Sequence, residues 1–263
     1  MKKLFIGTNT KMTKTRQETV DFLSRLQDVT SDISRTELTL FVLPSYPTLF
    51  SARSAIKDHA ILLGAQNICW AETGQYTGEI SPRMLEEIGI DMVMVGHSER
   101  RHVFLEDDKM ENLKVLTCLK HGFRTLLCVG ETAEEKSYGI ADEVLRKQIL
   151  MGLRNMDPKD SHLLMIAYEP VWAIGVNGEP ATASYAQEKH LVIKKVLRDV
   201  LGQRADDVPV LYGGSVNPDN AEDLINCDAI DGLYVGRSAW DADKFNALIR
   251  QVFPLWKKRS NGR

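Results

Sequence analysis

The sequence predicts an α/β protein, a single-domain closed (β/α)8 barrel, and three observations carry that prediction. Eight short aliphatic or β-branched runs alternate with longer segments of helical period. The runs are almost continuously apolar, as in parallel strands covered on both faces. No low-complexity linker or shift in composition divides the 263 residues, and barrels of this kind reach about 250 residues as one domain.

The runs are Leu4 to Gly7, Leu38 to Leu43, Ala60 to Ala65, Met92 to Val95, Thr125 to Val129, Leu163 to Tyr168, Val208 to Tyr212 and Ile230 to Val235. Eight is the number that closes such a barrel; an open, doubly wound sheet shares the local pattern and is the rival architecture. Between the runs, Thr15 to Val29 puts Val20, Leu23 and Leu26 on one face, and Ile140 to Leu153 turns Val144, Ile149 and Leu153 inward. Gln187 to Leu201 does the same with Leu191, Ile193, Val196, Leu197 and Val200. The barrel is expected over residues 1–255. Residues 256–263, with Lys257, Lys258 and Arg259, read as a frayed basic tail.

Composition narrows the partners. With 43% hydrophobic and 26% charged residues the chain is of ordinary soluble type. A net charge of -3, with the signs interspersed, gives no field that would attract nucleic acid or an anionic membrane. An anionic ligand therefore needs local positive groups. Cys69, Cys118, Cys128 and Cys227 form no CxxC pair and read as reduced thiols of a cytoplasmic protein. Lys2 and Lys3 could begin a signal peptide, but Leu4-Phe5-Ile6 is too short for its apolar core. No apolar run approaches the about 20 residues that span a bilayer.

Unusual polar residues gather where the runs end. Asn9 and Lys11 follow the first, Gln66 and Asn67 the third, His97 and Glu99 the fourth, and Glu131 the fifth. Glu169 ends the sixth, Gly213-Gly214-Ser215 follow the seventh, and Gly236 the eighth. A barrel builds its active site at these C-terminal strand ends. Glycines after the last two strands leave backbone N–H groups open, a cradle suited to phosphate, although glycine also simply turns the chain. Glu169, among apolar neighbours, is placed to act as a general base; pairing with an arginine is its structural alternative. Pro170-Val171-Trp172-Ala173-Ile174, followed by Gly175, has the make-up of a hinged lid. His97, before Ser98-Glu99-Arg100-Arg101, can be held neutral as a donor if that segment opens a helix. His97 and His102 are five apart and lack a zinc-helix spacing, so no metal is expected. Glu99, Arg100 and Arg101 can equally form an ion-pair cluster, and Lys11 taken alone can be a solvated surface group.

The segments Asn9-Thr10-Lys11-Met12, Gly64-Ala65-Gln66-Asn67, Thr77-Gly78-Glu79, Gly96 to Arg101, Cys128-Val129-Gly130-Glu131, Tyr168 to Gly175 and Tyr212 to Val216 resemble the triosephosphate isomerase family, in order from the first strand to the last. The resemblance implies the TIM-barrel fold, with Glu169 moving the proton, Asn9, Lys11 and His97 holding the enediolate oxygens, and Glu99 supporting them. It implies phosphate binding by Gly175, Ser215 and Gly236, with Gly213, Gly214 and Arg237 beside them. Tyr212 would latch the closed lid. It further implies a homodimer in which Thr77 reaches the partner's site, a small phosphorylated sugar as substrate, and no cofactor.

Four departures concern the rim rather than the reacting groups. Thr10 stands where the family has tryptophan, and Tyr76 where it has phenylalanine before Thr77. The lid is one residue longer at Val176-Asn177-Gly178-Glu179-Pro180, and Arg237 replaces the second of two glycines after the last strand. The leading expectation is the interconversion of dihydroxyacetone phosphate and glyceraldehyde 3-phosphate, in glycolysis and gluconeogenesis. The alternative is a tetrulose-phosphate isomerase, converting L-erythrulose 1-phosphate to D-erythrulose 4-phosphate. A third reading is a non-catalytic phosphosugar-binding protein.

Overall fold

The computed structural model describes residues 3–175 and 178–261. Two residues of the expected lid, Val176 and Asn177, and the last two of the expected tail lie outside the described residues. Eight strands, β1 (Leu4–Asn9), β2 (Leu38–Leu43), β3 (Leu62–Ala65), β4 (Met92–Val95), β5 (Arg124–Val129), β6 (Leu164–Tyr168), β7 (Val210–Tyr212) and β8 (Gly232–Val235), pair in parallel in chain order. Strand β8 closes on β1 in the register Phe5 to Gly232 through Thr8 to Val235, so the sheet is a closed barrel rather than an open one.

Helices wrap the outside: α1 (Arg16–Val29), α2 (Leu49–Ala55), α3 (Pro82–Ile88), α4 (Ser98–His102), α5 (Asp108–Lys120), α6 (Ala133–Ser137), α7 (Ala141–Gly152), α8 (Ala183–Leu201), α9 (Ala221–Asn226) and α10 (Ala242–Asn261). Local chemistry sets several starts. Thr15 and Glu18 form a capping box at α1, Thr132 and Glu135 form another at α6, and Thr182 caps α8.

The buried faces differ from expectation in detail. In α1 the inward residues are Thr19, Phe22, Leu23 and Leu26, with Val20 half-buried. In α7 they are Ala141, Leu145, Gln148, Ile149 and Gly152; Val144 is half-buried, while Leu153 beyond the helix end is buried. In α8 Leu191 is 54% exposed, because it lies about 200° around the helix from Ile193. Lys189 and His190 occupy the buried stripe instead, Lys189 by sending its ammonium out to Asp142 at 2.6 Å and Glu188 at 2.8 Å. The basic end is not frayed over its described part. Helix α10 continues to Asn261, Trp256 is buried in the core, and Arg259 donates to the carbonyls of Ile225, Cys227 and Ile230.

Two apolar layers hold the fold. One lies between sheet and helices; the other fills the barrel with Phe41, Leu43, Met92, Met94, Leu126, Cys128, Met165, Ala167, Leu211 and Tyr234. Gly7 makes room for Phe41, since a Cβ there would stand 2.2 Å from its ring. The barrel is therefore plugged, and any ligand must sit at its mouth. The four cysteines are free, and among the described residues no helix is long and apolar enough to cross a membrane.

Candidate active site

A cavity of about 630 Å3 opens at the C-terminal ends of the strands. Asn9, Lys11, His97 and Glu169 line its inner part, and the segments after β6, β7 and β8 line its outer part.

Gln66 builds the β1 corner. Its amide nitrogen donates to Asn9 Oδ1 at 3.0 Å and to the carbonyls of Lys11 and Leu43, both at 2.9 Å. Asn9 Oδ1 also accepts from the Lys11 N–H at 2.7 Å, which steadies Lys11 in a left-handed backbone conformation, φ 50°. With its oxygen engaged, Asn9 offers its amide NH2 toward the Tyr234 hydroxyl and the cavity. Lys11 Nζ stands 2.7 Å from Glu99 Oε1.

His97 caps α4, its Nδ1 accepting the Glu99 N–H at 3.1 Å. A nitrogen that accepts carries no proton, so the neutral ring bears its proton on Nε2, a donor facing the cavity 3.6 Å from Glu169 Oε1. Glu169 follows β6, is 2% exposed, and accepts the Ser98 N–H at 3.2 Å through Oε2, with the Cys128 thiol also beside it. Gly213 gives this carboxylate its space: a Cβ there would lie 3.0 Å from Glu169 Cγ. The arrangement joins a carboxylate base to a neutral electrophile, an ammonium and an amide donor.

Glu131, at the neighbouring strand end, is placed quite differently. It accepts from the hydroxyls of Tyr168 at 3.0 Å and Tyr185 at 2.9 Å, and from the Trp172 indole at 2.8 Å. Burial, then the charge of Glu131, pushes both phenols far above their ordinary range, so they remain donors. Lys136 sits over the Trp172 ring, 3.3 Å from its centroid. The expected lid thus begins with Pro170, a turn over Val171–Ala173 whose Ala173 is fully buried, and Ile174 and Gly175 on the cavity wall. The Tyr212 hydroxyl is buried and makes no hydrogen bond among the described residues.

The glycine cradle divides into parts. Gly213 spends its N–H on the Tyr168 carbonyl at 2.8 Å, so it supplies space rather than a donor. A Cβ on Gly214 would meet the Tyr212 hydroxyl at 2.4 Å. The N–H groups of Ser215 and Gly236 make no hydrogen bond among the described residues and line the cavity. Arg237 is exposed on its rim.

Other expected residues lie elsewhere. Glu99 stands behind Lys11 and His97, outside the cavity lining. Arg100 pairs with Glu106 and Arg101 with Asp108, both structural. Thr77 is exposed on the loop between β3 and α3, apart from this chain's own cavity. Among the described residues no group of three or more His, Cys, Asp or Glu is placed to hold a metal ion. Among the lining residues that escaped sequence reading are Tyr234, which looks like any strand aromatic, Trp240 and Lys244. Trp240 donates its indole N–H to the Asn9 carbonyl at 2.8 Å, so the end of β1 beside Thr10 is covered by an indole from another loop.

Comparisons with known proteins agree with this geometry. The sequence profile of the family described as triosephosphate isomerase matches residues 4–252. An L-erythrulose-1-phosphate isomerase of Rhizobium etli is 44% identical, over 95% of this chain and 92% of that protein. One of Rhizobium meliloti is 42% identical, over 95% and 96%. The crystal structure of a triosephosphate isomerase from Bartonella henselae superposes with a TM-score of 0.85 at 31% identity, covering 95% of this chain and 98% of that one.

Proposed function

This chain belongs to the triosephosphate isomerase family and is an isomerase, and on that premise we propose that it interconverts L-erythrulose 1-phosphate and D-erythrulose 4-phosphate. The observation that carries the substrate is the near full-length likeness, at 44% and 42% identity, to relatives named for that reaction. It reverses the order of the two substrates expected from sequence, which put the triose and its glycolytic setting first.

The reaction needs a proton moved between adjacent carbons while the carbonyl oxygen is polarised. The substrate phosphate on C1 is held by the N–H groups of Ser215 and Gly236, with Gly175 of the lid and Arg237 at the rim. The C2 carbonyl faces His97 Nε2–H and Lys11 Nζ, which take up its developing negative charge. Glu169 removes the C3 proton, giving a C2–C3 enediolate whose second oxygen meets the Asn9 amide. Glu169, its carboxyl proton having exchanged with solvent, protonates C2 while the hydroxyl proton passes from the C3 oxygen to the C2 oxygen through His97, so the C3 oxygen becomes the carbonyl and the product is the 4-phosphate when renumbered. Glu99 positions Lys11. The lid, with Trp172 docked on Glu131, closes over the intermediate and excludes water. Tyr212 latches it. In this reading the protein is a cytoplasmic homodimer whose exposed Thr77 completes the partner's site.

Steady-state kinetics with L-erythrulose 1-phosphate and dihydroxyacetone phosphate test the proposal. The tetrulose phosphate is expected to have the higher kcat/KM; faster turnover of the triose phosphate would return the chain to the ordinary triose reaction.

A further inference from the structure

Tyr234 is the one phenol in the apolar filling of the barrel, and it lines the same cavity as Asn9, His97 and Glu169. It leaves β8, and its hydroxyl reaches Met94 Sδ of β4 at 2.8 Å. In the closed order of eight strands β8 and β4 are four apart, on opposite sides of the ring. The Tyr234 side chain therefore crosses the barrel and forms the floor of the site, its hydroxyl on Met94, which precedes His97 by three residues on the far wall. Its ring edge also lies beside the base. From the point where a Gly213 Cβ would stand, Tyr234 Cδ1 is 3.2 Å away and Glu169 Cγ 3.0 Å.

This hydroxyl donates to a poor partner, Met94 Sδ, and has the Asn9 side chain within reach. A thioether is a weak acceptor, and the phenol oxygen has lone pairs of its own to offer. Burial lifts the phenol well above its ordinary range, so it stays a neutral group able both to donate and to accept. Of the neighbouring polar groups, the Gln66 amide nitrogen is committed to three acceptors and Asn9 Oδ1 to Lys11 and Gln66, while the Asn9 amide NH2 faces the phenol oxygen. The Thr10 hydroxyl is buried and makes no hydrogen bond among the described residues, but does not line the cavity.

The tetrulose differs from a triose by one hydroxymethyl group, C4, at the end opposite the phosphate. With C1 at the Ser215–Gly236 cradle and C2–C3 between His97 and Glu169, C4 must lie past the carboxylate, toward the floor. We propose that the Tyr234 hydroxyl receives the terminal hydroxyl of the tetrulose phosphate, making Tyr234 the residue that sets substrate length. A triose ends one carbon short and leaves the phenol on Met94. The proposal rests on the tetrulose reading above.

The test compares kcat/KM for L-erythrulose 1-phosphate and dihydroxyacetone phosphate in wild type and Tyr234→Phe. Both substrates are read on one preparation, so any loss of folded protein cancels in their ratio. The tetrulose-to-triose ratio is expected to fall about tenfold or more in the variant, since a site built around a substrate hydroxyl loses selectivity with its partner. Equal losses for both substrates, or an unchanged ratio, would overturn the role of Tyr234 while leaving the tetrulose reading in place. A wild type inactive on the tetrulose phosphate would bring down that reading and this proposal with it.

Discussion

Strands β5 and β6 lie side by side, and each leads into a buried glutamate with a different task. Glu131, after β5, is saturated by the donors of Tyr168, Trp172 and Tyr185. Glu169, after β6, has among the described residues one backbone donor, the Cys128 thiol beside it and an open cavity before it. A carboxylate whose lone pairs are filled by three fixed donors is a structural acceptor; one left nearly bare beside a cavity can take a proton. The residue type is the same, and the supply of donors assigns the role.

The comparison can be broken most forcefully at its reactive half. Glu169→Gln is expected to lower kcat about a thousandfold with the fold intact, as removal of a general base does; circular dichroism and turnover assays check both parts. Gly213→Ala is the next strongest. Its new Cβ would crowd Glu169 Cγ at 3.0 Å, and displacing a base by a fraction of an ångström costs on the order of tenfold to a hundredfold in kcat.

Glu131→Gln tests the other half. It turns an NH2 toward donors and is expected to cost about 2–3 kcal/mol in urea denaturation, while kcat/KM falls less than in either preceding variant. If Glu131→Gln instead abolished turnover in a stable protein, the division of labour between the two strand ends would be wrong.

His190 sharpens the contrast from a third position, because neither nitrogen of its fully buried ring makes a hydrogen bond of good geometry among the described residues, the Ala229 backbone being the nearest help. Burial pulls it down to about 3. As pH falls below about 6.5 the unfolded chain takes up this proton and the folded chain does not, so stability drops progressively toward pH 3. The loss amounts to roughly 2 kcal/mol by pH 5. Burial pushes Glu111 up to about 7, which acts in the opposite direction. Glu111 remains in His190→Phe, so the stability difference between variant and wild type isolates the histidine. The acid limb of a melting-temperature profile is expected to be shallower in His190→Phe.

The sequence made the proposed reactive groups legible because strand ends in a barrel are few and the polar residues there interrupt apolar runs. Asn9, Lys11, His97 and Glu169 were all found in this way, and the structure brings them to one cavity. What stayed hidden depended on direction rather than position. Gly213 reads as a phosphate donor until its N–H is seen to bond to Tyr168, and Tyr234 reads as ordinary strand filling, since aromatics favour strands wherever they point. Helix α8 misled for a related reason: Leu191 looked like core, whereas the buried stripe is occupied by Lys189, with its charge led outward, and by a neutral His190.

The central claim is that a proton, carried by Glu169, passes between adjacent carbons through an enediolate. Turnover of L-erythrulose 1-phosphate in deuterium oxide tests it most directly. The D-erythrulose 4-phosphate formed should carry solvent deuterium at C3, the carbon next to the phosphate-bearing C4. A product that stays free of deuterium at every carbon after many reversible turnovers would mean that the hydrogen never leaves the two carbons, as in direct hydride movement, and the account built on Glu169 would be contradicted.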